Sequence, residues 1–210
     1  MDTGAWKRDL SYPLALVMVL CLAVGTVAAD KEKGAATKDT KKIDVKGLSL
    51  TVPAAWQRKE VRSRNRPAEF EITPVDGDHE PAEFIVYQFG GGREGGDADA
   101  NIERWIGQVE PAGRKATAWS GTSKVGKYHL VDITGNYKKP IGPPIQQQFE
   151  LKKGWRVLNV RLEADGGLFF LKFAGPEKTI ASAMEVFRTS FGADVATERE
   201  IPRKKPAKTP

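Results

Sequence analysis

Cysteine is almost absent from this chain of 210 residues. The one cysteine, Cys21, lies in an N-terminal segment that we expect to be cleaved, so the mature protein would contain none. That absence excludes disulfide bonds, thiol catalysis, cysteine-ligated zinc and iron–sulfur clusters from the mature chain. The fold must then rely on an apolar core, and residues 45–194 are numerous enough to form one as a single domain.

Histidine is also scarce, and the common catalytic motifs are missing. Of the two histidines, His79 lies in an acidic loop and His129 in an apolar, strand-like segment. The chain has no His-Glu-x-x-His motif and no serine in a nucleophile elbow. Carboxylates such as Asp132 and Glu150 could pair in the fold, although their spacing does not place them together. We therefore predict no catalytic residues, no metal site and no cofactor.

Long apolar runs are missing as well, apart from residues 12–24. Lys7 and Arg8 precede this run, and small side chains at residues 27–29 follow it, as in a secretory signal peptide. The run is too short for a comfortable transmembrane helix. We predict that residues 1–29 are a signal peptide and that the mature protein is exported, either periplasmic or secreted, with no membrane span.

Positive charge is plentiful, and the formal net charge of the chain is +6. Residues 30–44 are rich in lysine and threonine and lack aromatics, so we predict a disordered linker there. Residues 195–210 combine basic side chains with prolines, which predicts a disordered basic tail. The folded domain is then residues 45–194.

Residues 57–67 are the most basic part of the predicted domain. If this segment is extended, alternate side chains share one face, and that face would attract an anion, such as a polysaccharide sulfate or uronate, a nucleic acid or a lipid head group. No aromatic side chain alternates with the arginines, which argues against nucleic acid. The alternative is a solvated edge strand that charge protects against aggregation. The candidate anion-binding residues are Arg58, Lys59, Arg62, Arg64 and Arg66.

The loop at residues 74–81 is rich in oxygen ligands. Asp76, Asp78 and Glu80 match the first three ligand positions of an EF-hand. Pro81 then replaces the required glycine, so the segment is not an EF-hand. This pattern predicts an ordinary acidic turn, with a weak calcium site as the alternative.

A glycine-dense loop at residues 90–96 joins an apolar strand at residues 83–89 to an amphipathic helix at residues 97–110. The glycines satisfy the G-x-G-x-x-G spacing of dinucleotide-binding loops. Asp97 and Asp99 would repel a pyrophosphate at the start of the helix. The loop is therefore interpreted as a flexible connection that lets strand and helix pack closely.

The helix predicted at residues 97–110 carries an apolar stripe at i, i+3, i+4 and i+7 spacing. A polar stripe lies beside it, with an indole on the border between the two. We predict that this polar stripe is a surface for a ligand or partner. The alternative is a helix edge whose tryptophan belongs to the core. The candidate residues of this surface are Asn101, Arg104 and Gln108 of the polar stripe, together with Trp105 on its border.

The rest of the domain has the pattern of consecutive hairpins and a second helix. Residues 126–127 and 153–154 are short enough for hairpin turns, and the helix follows Gly175 and Pro176. We predict an α+β fold in which an antiparallel sheet is covered by two amphipathic helices. The predicted strands are residues 117–125, 128–137, 145–151, 155–162 and 168–173.

Several motifs occur in an order that resembles a family of exported bacterial proteins with no assigned activity. The element order is also similar to PsbP-like and Ran-binding Mog-type sandwiches, in which helices cover an antiparallel sheet. The resemblance implies an α/β sandwich that serves as a binding or assembly subunit rather than a catalyst, and it implies no site residues. The motifs are VPAAW at 52–56, RPAEF at 66–70, ANIERWIGQ at 100–108, VDITG at 131–135 and KFAGPEKT at 172–179.

Two functional hypotheses follow. The first is an exported, non-catalytic binding or assembly module of the cell envelope, whose partner is an unknown envelope protein or a polyanion. The second is a hydrolase or accessory enzyme that uses carboxylates in a cleft near the glycine loop. Two carboxylates facing one cavity would favour the enzyme, whereas a flat arginine face would favour the binding module.

Overall fold

The computed structural model describes residues 39–61, 63–89, 95–142 and 144–203. The predicted signal peptide, most of the predicted linker, Arg62 and residues 90–94 of the glycine loop lie outside these ranges. Within these ranges, no helix is long and apolar enough to cross a lipid bilayer.

The first element is a hairpin of β1 (Thr40–Val45) and β2 (Leu48–Pro53) that forms its own two-stranded antiparallel sheet. Lys46 and Gly47 turn the chain with φ values of 53° and 86°, as a tight hairpin turn requires. The prediction of a disordered linker up to residue 44 is therefore wrong over β1. Its apolar face is narrow, because Ile43 and Val45 alternate with charged residues, and the lysine-rich composition concealed it.

The other strands form one eight-stranded sheet. The remaining elements are, in chain order, β3 (Gln57–Arg58), β4 (Ala68–Ile72), β5 (Ala82–Gln88), α1 (Ala98–Ile106), β6 (Lys115–Ser123), β7 (Gly126–Pro140), a 3-10 turn (Pro144–Gln146), β8 (Phe149–Ala164), β9 (Gly167–Pro176), α2 (Glu177–Ser190) and β10 (Ala193–Glu200). The strand order in the sheet is β10-β6-β7-β8-β9-β5-β4-β3, and every neighbouring pair is antiparallel.

Each face of this sheet carries its own apolar core. The β1–β2 hairpin and α2 pack on one face, and α1 packs on the other. Strand β9 serves both cores, because Phe169, Leu171 and Phe173 point to the α2 face while Phe170 points to the α1 face. The predicted α+β class, an antiparallel sheet with two helices, is confirmed. The sheet dominates, and the two helices lie on opposite faces.

Strand β8 corrects one predicted turn. Residues 153–154 do not reverse the chain, because β8 runs without interruption through them. Gly154 has a φ of 65°, and the pairing with β7 shifts register between Gly135 and Tyr137. A positive-φ glycine serves a β-bulge as readily as a hairpin turn, so composition alone could not separate the two.

Both ends of the predicted domain also differ from the prediction. The helix ends at Ile106 rather than residue 110, since Val109 forms a β-bridge with Tyr137 and the Gln108 carbonyl accepts from Lys138 N at 2.8 Å. The predicted disordered tail begins inside β10, which pairs with β6, so the prediction of disorder is wrong for residues 195–200. Val195 in β10 is 56% exposed, and the strand is held by its pairing with β6 and by Glu198, which accepts from Tyr128 and Arg188, each at 2.9 Å. Hydrophobic patterning therefore gave no signal.

Candidate ligand-binding cavity

The most chemically distinctive part of the molecule lies on the α1 face of the sheet. Lys172 on β9 is in register with Asn159 on β8 and Ile85 on β5, so these three side chains form one row across the strands. They share the α1 face because they alternate with residues that point to α2. A lysine and an asparagine thus lie beneath a helix, in a region that is otherwise apolar.

Helix α1 is fixed over this row by its apolar stripe and by its C-terminal extension. Ile102 and Ile106 are buried, and Trp105 meets Phe170 edge-on with ring centroids 6.2 Å apart. The backbone after the helix is bonded to β7, which places Gln108 over the sheet. Asp97 caps the helix, since its carboxylate accepts from Ala100 N at 2.8 Å. An acidic side chain at this position is typical of a helix start.

A cavity of about 250 Å³ lies between α1 and the sheet. Its walls combine aromatic rings with a small number of polar groups, as ligand sites commonly do. We call it the α1 cavity. It is lined by Tyr87, Phe89, Arg104, Trp105, Gln108, Pro140, Asn159, Phe170, Leu171 and Lys172.

Lys172 is the charged group in the floor of the α1 cavity. Burial lowers the pKa of its ammonium group to about 8, although Glu83 acts in the opposite direction. Its Nζ donates to the Tyr137 hydroxyl and lies 4.7 Å from the centre of that ring. Glu83 is itself bonded to Lys139 at 3.0 Å, and among the described residues Lys172 makes no ion pair. The floor of the cavity is therefore cationic at neutral pH.

Two amides near Lys172 have unused hydrogen-bonding capacity. Asn159 is 2% exposed, and its Nδ2 has no hydrogen-bond partner within the described ranges. Gln108 Oε1 is likewise buried without a partner among those residues. A buried polar group without a partner costs free energy, and natural proteins keep few of them. Here a donor and an acceptor both line the same cavity.

The four residues predicted for the surface of α1 have different environments. Asn101 is 2% exposed, and its amide donates to the carbonyls of Gly95 at 2.5 Å and Asp97 at 2.8 Å. It therefore ties the end of the glycine loop to the helix. Trp105 is 5% exposed and belongs to the α1 core. Arg104 is exposed and donates to Asn101 Oδ1. Arg104, Trp105 and Gln108 line the α1 cavity, while a ligand role for the stripe stays a prediction.

A second opening of about 380 Å³ adjoins the α1 cavity and shares Phe89, Arg104 and Phe170 with it. Its described lining also includes Gly95 and Gly96 of the glycine loop. Neither cavity has a carboxylate among its described lining residues. The arrangement that would favour a carboxylate hydrolase near this loop is thus not present in the described part of the site.

The carboxylates singled out in the sequence are used elsewhere. Asp132 forms a two-point ion pair with Arg156, and Glu150 bonds to Lys152 at 2.6 Å. Asp78 accepts from both the backbone N and the hydroxyl of Thr179, at 2.8 and 2.7 Å. The acidic loop thereby fixes the start of α2. In the described ranges, no three histidine, cysteine or acidic side chains come together as a metal site would require.

The basic segment is only partly a strand. Its pairing with β4 ends at Arg58, so the alternation of a single long strand does not place the arginines on one face. Lys59 is bonded to Glu71 at 2.9 Å, and Arg66 to Glu69 at 3.1 Å. Arg62 lies outside the described residues. Arg58 and Arg64 are exposed, and they remain the described candidates for anion binding.

Lys172, Asn159 and Tyr137 were not among the residues predicted to form a site. The available signal was a single charge or amide inside an apolar strand, since Lys172 interrupts Leu168–Phe173 and Asn159 lies between Leu158 and Val160. A charged or amide side chain lowers the stability of the fold when its face of the sheet is covered by another element. Its presence in a strand that is buried on both faces therefore indicates a functional site. The sequence did not show that α1 covers this strand.

No protein-family model and no curated protein sequence matches the chain. The fold is similar to the solution structure of cyanobacterial PsbP (CyanoP) from Synechocystis sp. PCC 6803, with a TM-score of 0.46 and 14% identity, over 83% of this chain and 99% of that chain. It is also similar to the crystal structure of PA94, a protein of unknown function from Pseudomonas aeruginosa, with a TM-score of 0.40 and 11% identity, over 71% and 91% of the two chains. Similarity at this level assigns no function.

Proposed function

We propose that this protein is an exported, non-catalytic binding module of the cell envelope that takes a small anionic ligand in the α1 cavity. The observation that carries the proposal is the pairing of an ammonium group, Lys172, with an unpartnered buried amide, Asn159, in one row of the cavity floor. Both groups cost stability where they stand, and an anion bound between them would satisfy both.

The chemistry of the lining describes the ligand. With a pKa of about 8, Lys172 is mostly protonated at pH 7 and attracts a negative group, to which Asn159 Nδ2 would also donate. Gln108 Oε1 accepts from a hydroxyl or N–H on the ligand. Tyr87 and Phe170 supply flat apolar walls. The volume lies just below the range of roughly 300–1,000 Å³ for drug-sized ligands, so the ligand is small.

Binding is favoured over catalysis by what surrounds Lys172. Acyl or glycosyl transfer needs a nucleophile beside a general base, or two carboxylates on either side of the bond. Among the described lining residues there is neither a carboxylate nor a histidine, and Lys172 donates to a phenol, Tyr137, whose pKa burial raises. This set of groups binds and orients an anion.

The test uses benzoate and its neutral isostere benzamide with the mature chain, followed by amide NMR shifts. Benzoate should shift resonances around Phe170 and Trp105, and benzamide should bind at least about tenfold more weakly, because a hydrogen bond to a charged group is worth roughly 1.5–3 kcal/mol. Lys172→Met should weaken benzoate binding by a similar factor. Lys115→Met, which removes an exposed lysine from β6, is the matched control. Shifts confined to the α2 face would contradict the proposal.

Export is part of the proposal and rests on the signal-peptide pattern of residues 1–29. Expression of the full chain in a bacterium with a functional secretion pathway should release a mature protein whose first residue is Asp30. N-terminal sequencing of the periplasmic and medium fractions tests this. Intact protein that begins at Met1 in the cytoplasmic fraction would remove export from the proposed function.

The basic segment provides a second candidate surface, for a polyanion rather than a small ligand. Arg58 and Arg64 are exposed and make no ion pair within the described ranges. Lys59 and Arg66, in contrast, are already paired with glutamates, which offsets half of the described positive charge here. The α1 cavity is therefore the better supported of the two.

A further inference from the structure

Exposed apolar side chains are concentrated at the closed end of the β7–β8 hairpin. Only a few large apolar side chains in the described ranges are exposed at all, and most of those are here. Such clustering marks an interaction surface, whereas scattered exposed residues need no explanation. We call this cluster the hairpin tip; it consists of Ile141 at 44%, Ile145 at 90%, Phe149 at 52% and Leu151 at 38% exposure.

The hairpin tip extends beyond the rest of the sheet. On the β7 side, pairing with β6 ends at Thr134, and on the β8 side, pairing with β9 ends at Trp155. Tyr137 still bridges to Val109 and Lys138 N donates to the Gln108 carbonyl, but the pairs Lys139↔Glu150 and Pro140↔Phe149 join β7 and β8 only to each other in the described structure. The last pairs of this hairpin therefore have no neighbouring strand on either side.

Apolar groups occupy both faces of the hairpin tip. Phe149 and Leu151 are two residues apart and point to one face. Pro140 is the partner of Phe149, so the next residue, Ile141, points to the opposite face. A protein partner that packs against one side would leave the other side in water. A lipid layer, in contrast, surrounds an inserted tip on all sides.

A set of lysines lies directly behind the apolar residues. Lys138, Lys139, Lys152 and Lys153 flank the strand ends, and the only carboxylate in that stretch is Glu150. Lys139 is bonded to Glu83 at 3.0 Å, and Lys152 to Glu80 at 2.5 Å. In the described structure Lys138 and Lys153 make no ion pair, and both remain open to an external anion.

We infer that the hairpin tip is a membrane-surface anchor that inserts Ile145 and Phe149 into the interface of an anionic lipid layer, with Lys138 and Lys153 at the headgroup phosphates. The apolar side chains lie at the end of the hairpin, and the lysines lie a few residues further back along its strands. An anionic bilayer has the matching order, with phosphates at the surface and apolar chains beneath them. This binding would hold the module beside a membrane without a spanning segment. None of the four tip residues lines the α1 cavity, although Pro140, the partner of Phe149, does.

The experiment is co-sedimentation of the mature protein with vesicles. Vesicles containing equal parts of phosphatidylglycerol and phosphatidylcholine should pellet the protein at low salt, and pure phosphatidylcholine vesicles should do so at least tenfold less efficiently. The double variant Ile145→Ser/Phe149→Ser should bind the anionic vesicles at least tenfold more weakly. Val195→Ser is the matched control, since Val195 is 56% exposed on β10, away from the tip. The control should bind like the parent protein.

A second variant separates charge from insertion. Lys138→Gln/Lys153→Gln should lose most of the preference for phosphatidylglycerol. Equal binding of both vesicle types by the parent protein, or undiminished binding by the serine variant, would overturn the inference. So would a dimer in sedimentation velocity that disappears on Ile145→Ser, because the tip would then bind a second copy of the chain. Circular dichroism confirms folding, which substitution of a side chain as exposed as Ile145 should not disturb.

Discussion

A single buried ammonium group makes the stability of this protein depend on pH. The pKa of Lys172 in the folded protein is about 8, whereas an unperturbed lysine has a pKa near 10.5. Below pH 8 both the folded and the unfolded chain hold the proton, and the folded state bears the full cost of the buried charge. Between pH 8 and 10 the unfolded chain keeps a proton that the folded chain has released, so raising the pH favours folding.

Urea unfolding of the wild-type protein at pH 7, 8, 9 and 10 should therefore show the free energy of unfolding rising by roughly 2 kcal/mol above pH 8. Lys172→Met should remove this rise and should be the more stable protein at pH 7. Above about pH 10 the gain reverses, because burial raises the pKa values of Tyr137 and Tyr128 and only the unfolded chain then ionises its tyrosines. A flat wild-type profile between pH 8 and 10 would contradict the assignment of a buried charge.

Two buried asparagines offer a matched comparison, because each is 2% exposed but only one has its amide satisfied. Asn101→Leu should lower the free energy of unfolding by about 1–3 kcal/mol, since the Gly95 carbonyl loses its side-chain donor and the Asp97 carbonyl keeps only the longer bond from Asn101 N. Asn159→Leu should raise it by about 1 kcal/mol, because its Nδ2 has no partner to lose in the described structure.

Chemical denaturation of both variants, with benzoate titration of each, measures this contrast. Asn159→Leu should also weaken benzoate binding, so stability and binding change in opposite directions. A destabilised Asn159→Leu protein would show that this amide has a structural role, and it would contradict a ligand bound between Asn159 and Lys172.

At the level of elements, Gly135 on β7 faces the bulge of β8 and lies against Val109, in the segment that follows α1. Gly135 has a φ of 146°, and a Cβ added there would come within 2.8 Å of Val109 Cγ1. Gly135→Ala should cost about 2–4 kcal/mol through backbone strain and displacement of Val109. Gly113→Ala is the control: its φ of 72° is also unfavourable for alanine, but nothing lies within 4 Å, so the cost should be about 1 kcal/mol.

Thermal unfolding gives the two free energies, and the NMR shifts of Gln108 show whether the α1 cavity has changed. Gly135→Ala should move them, because Gln108 lies in the segment that bridges to Tyr137 and Lys138. Equal costs for the two glycine substitutions would mean that the contact with Val109 does not position the helix end.

Hydrophobic periodicity predicted the elements that bury an apolar face. It did not predict elements that depend mainly on backbone pairing or on side-chain hydrogen bonds. The spacing of Ile102, Trp105 and Ile106 placed α1 correctly, and Asp97 marked its start. Strand β10 was missed because its backbone pairs with β6 while Val195 stays exposed. The continuity of β8 was missed because Gly154 satisfies a bulge and a hairpin turn equally well. Of the candidate site, the sequence predicted only the residues of α1 and the segment after it. Asn159 and Lys172 are brought together by the register of β8 and β9, which the sequence does not show.

At the scale of the whole molecule, the basic side chains of the described residues are not confined to one segment. Lys59 and Arg66 are paired with glutamates, the β7–β8 hairpin carries lysines of its own, and Arg58 and Arg64 are exposed and make no ion pair in the described structure. Retention on heparin should therefore fall only modestly on Arg58→Ala/Arg64→Ala, with the salt slope reduced by about 1 per arginine that makes a contact.

The matched control for that column is Lys115→Ala/Lys127→Ala, which removes the same charge from exposed positions on β6 and β7. An identical loss of retention in both double variants would show that net charge alone governs binding to heparin, and it would exclude a polyanion surface at the basic segment.

The two edge strands of the large sheet affect how readily the protein aggregates at high concentration. One border strand, β3, is only two residues long, and the other, β10, changes register between Asp194 and Arg199. A foreign strand that docks on either border finds no long, regular row of free amide and carbonyl groups. The folded protein is therefore a poor template for edge-to-edge association of its sheets. This protection matters for a chain that has no disulfide bond to stabilise the folded state.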